Sequence, residues 1–134
     1  SILASYAYID ARITKTASNS EKDFDMQRPS TPRHSGNIWT KYIITEGPLK
    51  HLGLGAGYNF VTERYGQVGR RANTTVYPGY GLVNAVLYYK INQIQLQANL
   101  NNVLNKTHWV GGYDKLRSFP GAPRNINVTV SYKF

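Results

Sequence analysis

From Ile94 to Asn101 the chain reads Ile-Gln-Leu-Gln-Ala-Asn-Leu-Asn, which puts Ile94, Leu96, Ala98 and Leu100 on one face of an extended strand and four amide side chains on the other. No helix could segregate those residues. The C-terminal stretch repeats the pattern, with Ile126, Val128, Val130, Tyr132 and Phe134 opposed to Asn127, Thr129, Ser131 and Lys133. Leu52 to Phe60 alternates apolar residues with Gly53, Gly55, Gly57 and Asn59, and Val83 to Lys90 alternates less cleanly. Ile38 to Ile44 fits if Ile38, Thr40, Tyr42 and Ile44 oppose Trp39 and Lys41. Ile2 to Ile13 is strand-like, but its facing is ambiguous because Tyr6, Tyr8, Asp10 and Arg12 mix on one side. The pattern predicts an all-β chain of six strands.

The connections carry as much information as the strands. Glu46 to Lys50 and Ile91 to Gln93 are short turns rich in turn-forming or polar residues. Thr14 to Arg33, Tyr65 to Pro78 and Val103 to Arg124 are long. In an antiparallel meander this strict alternation places every long loop at one end and every short turn at the other. A compact soluble domain seldom keeps several loops above about 12 residues, whereas an outer-membrane barrel has long extracellular loops and short periplasmic turns. A strand of about ten residues, tilted near 45°, spans about 24 Å, the height of the apolar band of such a barrel. Tyr42, Tyr89, Tyr132 and Phe134 fall near the short-turn end and Phe60, Tyr65, Tyr77, Tyr80 and Trp109 near the long-loop end, as two interfacial girdles would require. Six strands cannot close a barrel, so these residues read as the C-terminal piece of something larger, an antiparallel meander of six transmembrane strands.

Composition then removes other classes. The 134 residues contain no Cys, which excludes a disulfide framework and thiolate metal sites. The longest apolar run, Ala85 to Tyr89, is far too short for a membrane-spanning helix, and no secretory leader opens the chain, which reads as a mature or cut product. The net charge of +9 would suit nucleic acid, but no groove-reading helix or RNA-binding motif accompanies it. Most of the excess sits in or beside the long connections, at residues such as Lys15, Arg28, Arg64, Arg70, Arg71, Lys115 and Arg124. A basic rim of that kind attracts an anionic ligand or pairs with lipopolysaccharide phosphates.

Several stretches resemble the C-terminal portion of TonB-dependent outer-membrane receptors, and within them the ferric-siderophore receptors. They are Ala4 to Ala11, Pro32-Arg33-His34-Ser35 leading into Ile38-Trp39-Thr40, and Leu52 to Gly57, followed by Pro78-Gly79-Tyr80, Asn99 to Lys106, Gly121-Ala122-Pro123-Arg124 and Val130 to Phe134. Two departures are Asn84, where the family often has Asp, and Val103-Leu104-Asn105 in place of Leu-Phe-Asp or Leu-Phe-Asn. The resemblance implies that residues 1–134 are the last six strands and three extracellular loops of a 22-stranded barrel. An N-terminal plug and the remaining strands would lie outside them. It also implies TonB-dependent uptake of a ferric siderophore at the bacterial cell outer membrane, with TonB engaging the N-terminal region. On that reading there is no enzymatic activity and no intrinsic cofactor.

Aromatic walls and charged groups suit a bulky chelate, which makes Trp109, Tyr113 and Arg117 of the last loop and Tyr65 and Tyr77 of the middle loop the candidate ligand contacts. Trp109 leads because it lies beyond the regular alternation, where lipid burial no longer accounts for it. Asp10 and Arg12 read as a lumen-facing ion pair or network, and the glycines at 53, 55 and 57 as a place where another backbone, such as a plug, approaches closely. His34, His51 and His108 lie in separate segments and do not suggest a shared metal. The competing functions are a barrel protease or phospholipase and a passive porin. The spacing of His34 and Ser35, or of His108 and Asp114, supports no nucleophile-base pair.

Overall fold

The structure, a computed structural model, describes residues 1–15, 25–66, 75–112 and 116–134. Its strands are β1 (Ile2–Tyr8), β2 (His34–Ile43), β3 (Leu52–Val61), β4 (Arg64–Tyr65), β5 (Val76–Tyr77), β6 (Tyr80–Ile91), β7 (Ile94–Asn101), β8 (Trp109–Gly112), β9 (Ser118–Pro120) and β10 (Asn125–Tyr132). Six of them form one sheet in the order β1-β2-β3-β6-β7-β10, each paired antiparallel with its neighbour. This is the six-strand meander expected from the alternation. The ladders β4–β5 and β8–β9 stand apart from it in the middle and last long connections.

Residues directly opposite in an antiparallel ladder share a face, so the register sorts the whole sheet. One row runs Ala4, Ile38, Tyr58, Val83 and the next Ile2, Thr40, Ala56, Ala85, Leu100, Ile126. The opposite face carries Trp39, Gly57 and Asn84, then Val86, Asn99 and Asn127. The ambiguity of the first strand is thereby resolved. Ile2, Ala4, Tyr6 and Tyr8 go with the apolar face and Leu3, Ser5 and Ala7 with the polar one.

No layer among the described residues covers the apolar face, where Ile126, Val128 and Val130 are 67%, 69% and 65% exposed. Leaving such side chains in water costs about 1.5–3 kcal/mol each relative to burial, so the face requires an apolar medium. The opposite face is lined by amides that bind one another. Gln97 donates to Asn99 at 2.9 Å, Asn101 to Asn125 at 2.9 Å, and Asn84 to Asn59 at 2.8 Å.

Some local expectations shift. β2 starts at His34, four residues before the apolar alternation becomes visible, because outward-facing Gly36 leaves room for the Phe60 ring. The stripe of Gly55 and Gly57 is filled by this chain's own Trp39, which lies across both, with Val86 against Gly55. A methyl group at Gly57 would overlap the indole. The outward aromatic girdle at the long-loop end consists of Tyr6, Tyr8, Tyr58 and Phe60, and His34 shares a 2.7 Å hydrogen bond with the Tyr6 hydroxyl. Tyr80 pairs with Val61 on the inward face, while Tyr65, Tyr77 and Trp109 belong to the loop ladders. At the other end Tyr132 packs edge-on to Phe134 at 5.0 Å and donates to Gln93 at 2.7 Å. Tight reversals there use Gly47, His51 and Asn92 in the left-handed region, at φ of 79°, 73° and 51°.

Neighbouring substitutions on β10 test the sorting. Val128→Lys in the full-length protein should destabilise the barrel in lipid vesicles by about 2–4 kcal/mol, whereas Thr129→Lys should change it little. Equal urea midpoints for the two variants would contradict the assignment of faces.

Candidate ligand-binding rim

The described interior lies above the sheet, at the long-loop end. Val86, beneath Trp39, is buried in the sheet itself; Arg64, Tyr77, Asn102 and His108 are the other buried side chains, and all four sit in or at the roots of the loops.

Asn102 ends β7 by taking a left-handed conformation at φ 50°, which Asn tolerates better than most residues. Its side chain then closes the turn. Oδ1 accepts from Lys106 N at 2.8 Å, and Nδ2 donates to Lys106 O at 2.9 Å and to Ala122 O at 3.2 Å. Asn84 Oδ1 accepts from Asn102 N at 3.0 Å while its Nδ2 donates to Asn59. An amide at 84 performs both tasks, whereas a carboxylate could only accept; this is a physical account of the departure to Asn there. Asn105, also left-handed, accepts from Arg124 N at 2.9 Å and so ties the two roots of the last loop.

His108 sits directly above this turn, with Nδ1 3.1 Å from Lys106 O and its ring 4.5 Å from that of Tyr80. Gly121 lies so close to the imidazole that a Cβ there would overlap it. Arg64, projecting from β4, lies over the same Tyr80 ring at 5.2 Å. Its Nη1 donates to Val110 O at 3.0 Å and its Nη2 to Trp109 O. Tyr77, opposite Arg64 in the β4–β5 ladder, shares a 3.1 Å hydrogen bond with Ser118 Oγ and lies against Gly66 and Gly112. Ser30 N donates to Tyr65 O at 2.7 Å, which joins the first long connection to the middle one. The three loops are therefore linked through β4–β5.

The expected contacts separate within this framework. Trp109 is 38% exposed and its backbone is held by Arg64. Arg117 is exposed and Tyr65 half-buried. Tyr77 is 3% exposed and packs between the ladders, so in this conformation its ring faces protein. Tyr113 lies outside the described residues, as do Lys115, Arg70 and Arg71. The three histidines have separate neighbours: His34 lies against Tyr6 and Tyr8, His51 in a turn and His108 at Tyr80. Arg64, Asn102 and His108 were not anticipated as organisers of the rim. Arg64 is one cation among many in the sequence; its place opposite Tyr77 emerges only from the ladder register.

The ion pair or network read at Asp10 and Arg12 is present just above β1 as a network. Arg12 donates to both carboxylates, at 3.1 Å to Asp10 and 3.0 Å to Asp25, and Arg33 stands 3.9 Å from Asp10. The hydrogen bonds that Arg12 donates to Asp25 and then to Asp10 push its pKa above the ordinary value. A raised value keeps Arg12 charged at every pH below the arginine range, and that charge is lost only in strong alkali. The cations Lys15, Arg28, Lys106 and Arg124 are exposed.

Residues 1–103 match the sequence model of the family described as TonB dependent receptor-like, beta-barrel. The ferrioxamine B receptor of Salmonella typhimurium is 31% identical over 98% of this chain. The metal-pseudopaline receptor CntO of Pseudomonas aeruginosa is 29% identical over 99% of it. The crystal structure of the siderophore receptor PiuA from Acinetobacter baumannii superposes with a TM-score of 0.77 at 30% identity, covering 99% of this chain and 19% of that one. The chain spans 18% of the length of both curated relatives.

The contact between Gly121 and His108 is testable without knowledge of the ligand. Gly121→Ala should displace the imidazole from Tyr80 and destabilise the last loop by about 1–3 kcal/mol, read as faster protease cleavage between residues 103 and 124 in intact outer membranes. Unchanged cleavage would show that the loop does not depend on this packing.

Proposed function

We propose, because the chain belongs to the TonB dependent receptor-like β-barrel family, that the protein is a receptor for TonB-dependent uptake of ferric siderophores. On this reading residues 1–134 supply six strands of its wall and three loops of its ligand-binding rim. The observation that carries the reading is the family match itself, which runs through five strands of a sheet whose faces are sorted as a barrel wall requires. A plug and the remaining strands belong to the rest of the protein. TonB is the partner that acts on the plug, and the cargo is a metal chelate written as substrate, with no resident cofactor required.

Trp109, Tyr65 and Arg117 are the contacts we assign to ligand, with Tyr113 as a further one. An indole face encloses the apolar envelope of a chelate, and the guanidinium orients its charged or carbonyl oxygens. The mutually bonded amides make the part of the inward face nearest the rim polar and neutral, with Lys41 and Lys90 on the same face nearer the short turns. Exposed Lys15, Arg28, Lys106 and Arg124 suit lipopolysaccharide phosphates around the mouth.

The test uses purified full-length protein and a panel of ferrioxamine B, ferrichrome, a ferric catecholate and a non-ferric metal chelate. The parent should bind at least one of them, and Trp109→Ala should weaken that binding about 3- to 10-fold, the range expected for an aromatic contact. Binding of none, or cellular uptake that persists without TonB, would sink the uptake reading.

A further inference from the structure

We infer that Arg64 is a positioning residue for Trp109, holding the middle and last loops together so that they meet ligand as one body. The inference rests on the uptake reading for its functional half and on the geometry of the two ladders for its structural half.

The β8–β9 ladder is irregular. Trp109 pairs with Pro120 and Gly111 with Phe119, so Val110 is an extra residue at a bulge. A bulge leaves backbone groups out of the ladder and re-aims the neighbouring side chain. Here the carbonyls of Trp109 and Val110, on the two residues that enter the bulge, both accept from one guanidinium. That guanidinium comes from a different loop, 45 residues earlier in the chain. The bulge that directs Trp109 is thus completed from the middle loop.

Burial makes this more than a surface contact. Arg64 is 5% exposed, and its buried Nε has no partner among the described residues. An unsatisfied donor on a buried cation is unfavourable, so the fork to two carbonyls and the Tyr80 ring beneath it must hold the group there. Lysine could keep a charge above Tyr80 but could not reproduce the fixed fork, because its ammonium has no planar pair of donors. Tyr77 adds a second tie across the same gap through Ser118. Trp109 is the aromatic side chain of the re-aimed strand and is 38% exposed, beside Val110 at 46%.

The test compares Arg64→Lys and Arg64→Gln in the full-length receptor, each with Trp109 and with Trp109→Ala, after a heat-shift gel confirms a folded barrel. Without ligand, both variants should speed amide exchange in residues 108–112 and 117–121 by about tenfold or more, with β3 and β7 unchanged. With the panel chelate that the parent binds tightest, Arg64→Lys should lower affinity about tenfold when Trp109 is present and less than about twofold when it is Ala, since coupled residues are non-additive. Unchanged exchange at 108–112 would overturn the positioning, as would equal affinity losses in the two backgrounds. If the parent binds no chelate at all, the uptake reading fails while the exchange measurement still decides the role of Arg64.

Discussion

A backbone amide in hydrocarbon has no water to turn to, so every N–H and C=O of a wall that faces lipid must find its partner in the next strand. That constraint organises the molecule. It forces long antiparallel pairing from β1 through β10, confines irregular backbone to the two ends, and leaves side chains free to differ between faces. Because the ladder satisfies the backbone, only the outward half of each strand has to be apolar, and the mean hydropathy of the chain can be negative, at −0.44. The sheet therefore owes its order to pairing and to the surrounding medium more than to an internal core.

The loops solve a different problem. They stand above the wall, and their order comes from buried polar groups with specific partners. Asn102 closes the root of the last loop, Asn105 ties its two sides, and Arg64 binds its carbonyls from the neighbouring loop. Tyr80 is the shared platform for His108 and Arg64, and it is itself the first residue of a wall strand. Rim geometry is in this way referred back to the rigid sheet.

The six wall strands, their order and the faces of all but the first were legible in the sequence because a period of two survives any change of neighbour. What failed to show was everything decided by register between strands. The seat beneath Trp39 looks like bare glycine in one dimension; only pairing of Trp39 with Gly57 reveals the indole that fills it. β4, β5, β8 and β9 are two to four residues long, too short for any periodicity. Tyr6 and Tyr8 obscured the first strand because tyrosine is at home both at a membrane interface and in a polar lumen. Within the rim, Trp109 could be singled out by its place beyond the alternation. Arg64 could not, because burial of one cation among many leaves no trace in composition.

The amide lining of the inward face has a mechanical meaning. Its Asn and Gln side chains hold one another, as in the pairs Asn84–Asn59, Gln97–Asn99 and Asn101–Asn125. A surface whose groups are already satisfied and uncharged gains little from any particular neighbour, since a contact made to it replaces a bond it had or a bond to water. Such a patch is a low-adhesion bearing. Whatever moves along it meets neither a deep trap nor a charge, and the charged groups lie at its two ends, at the rim above and at Lys41 and Lys90 near the short turns below.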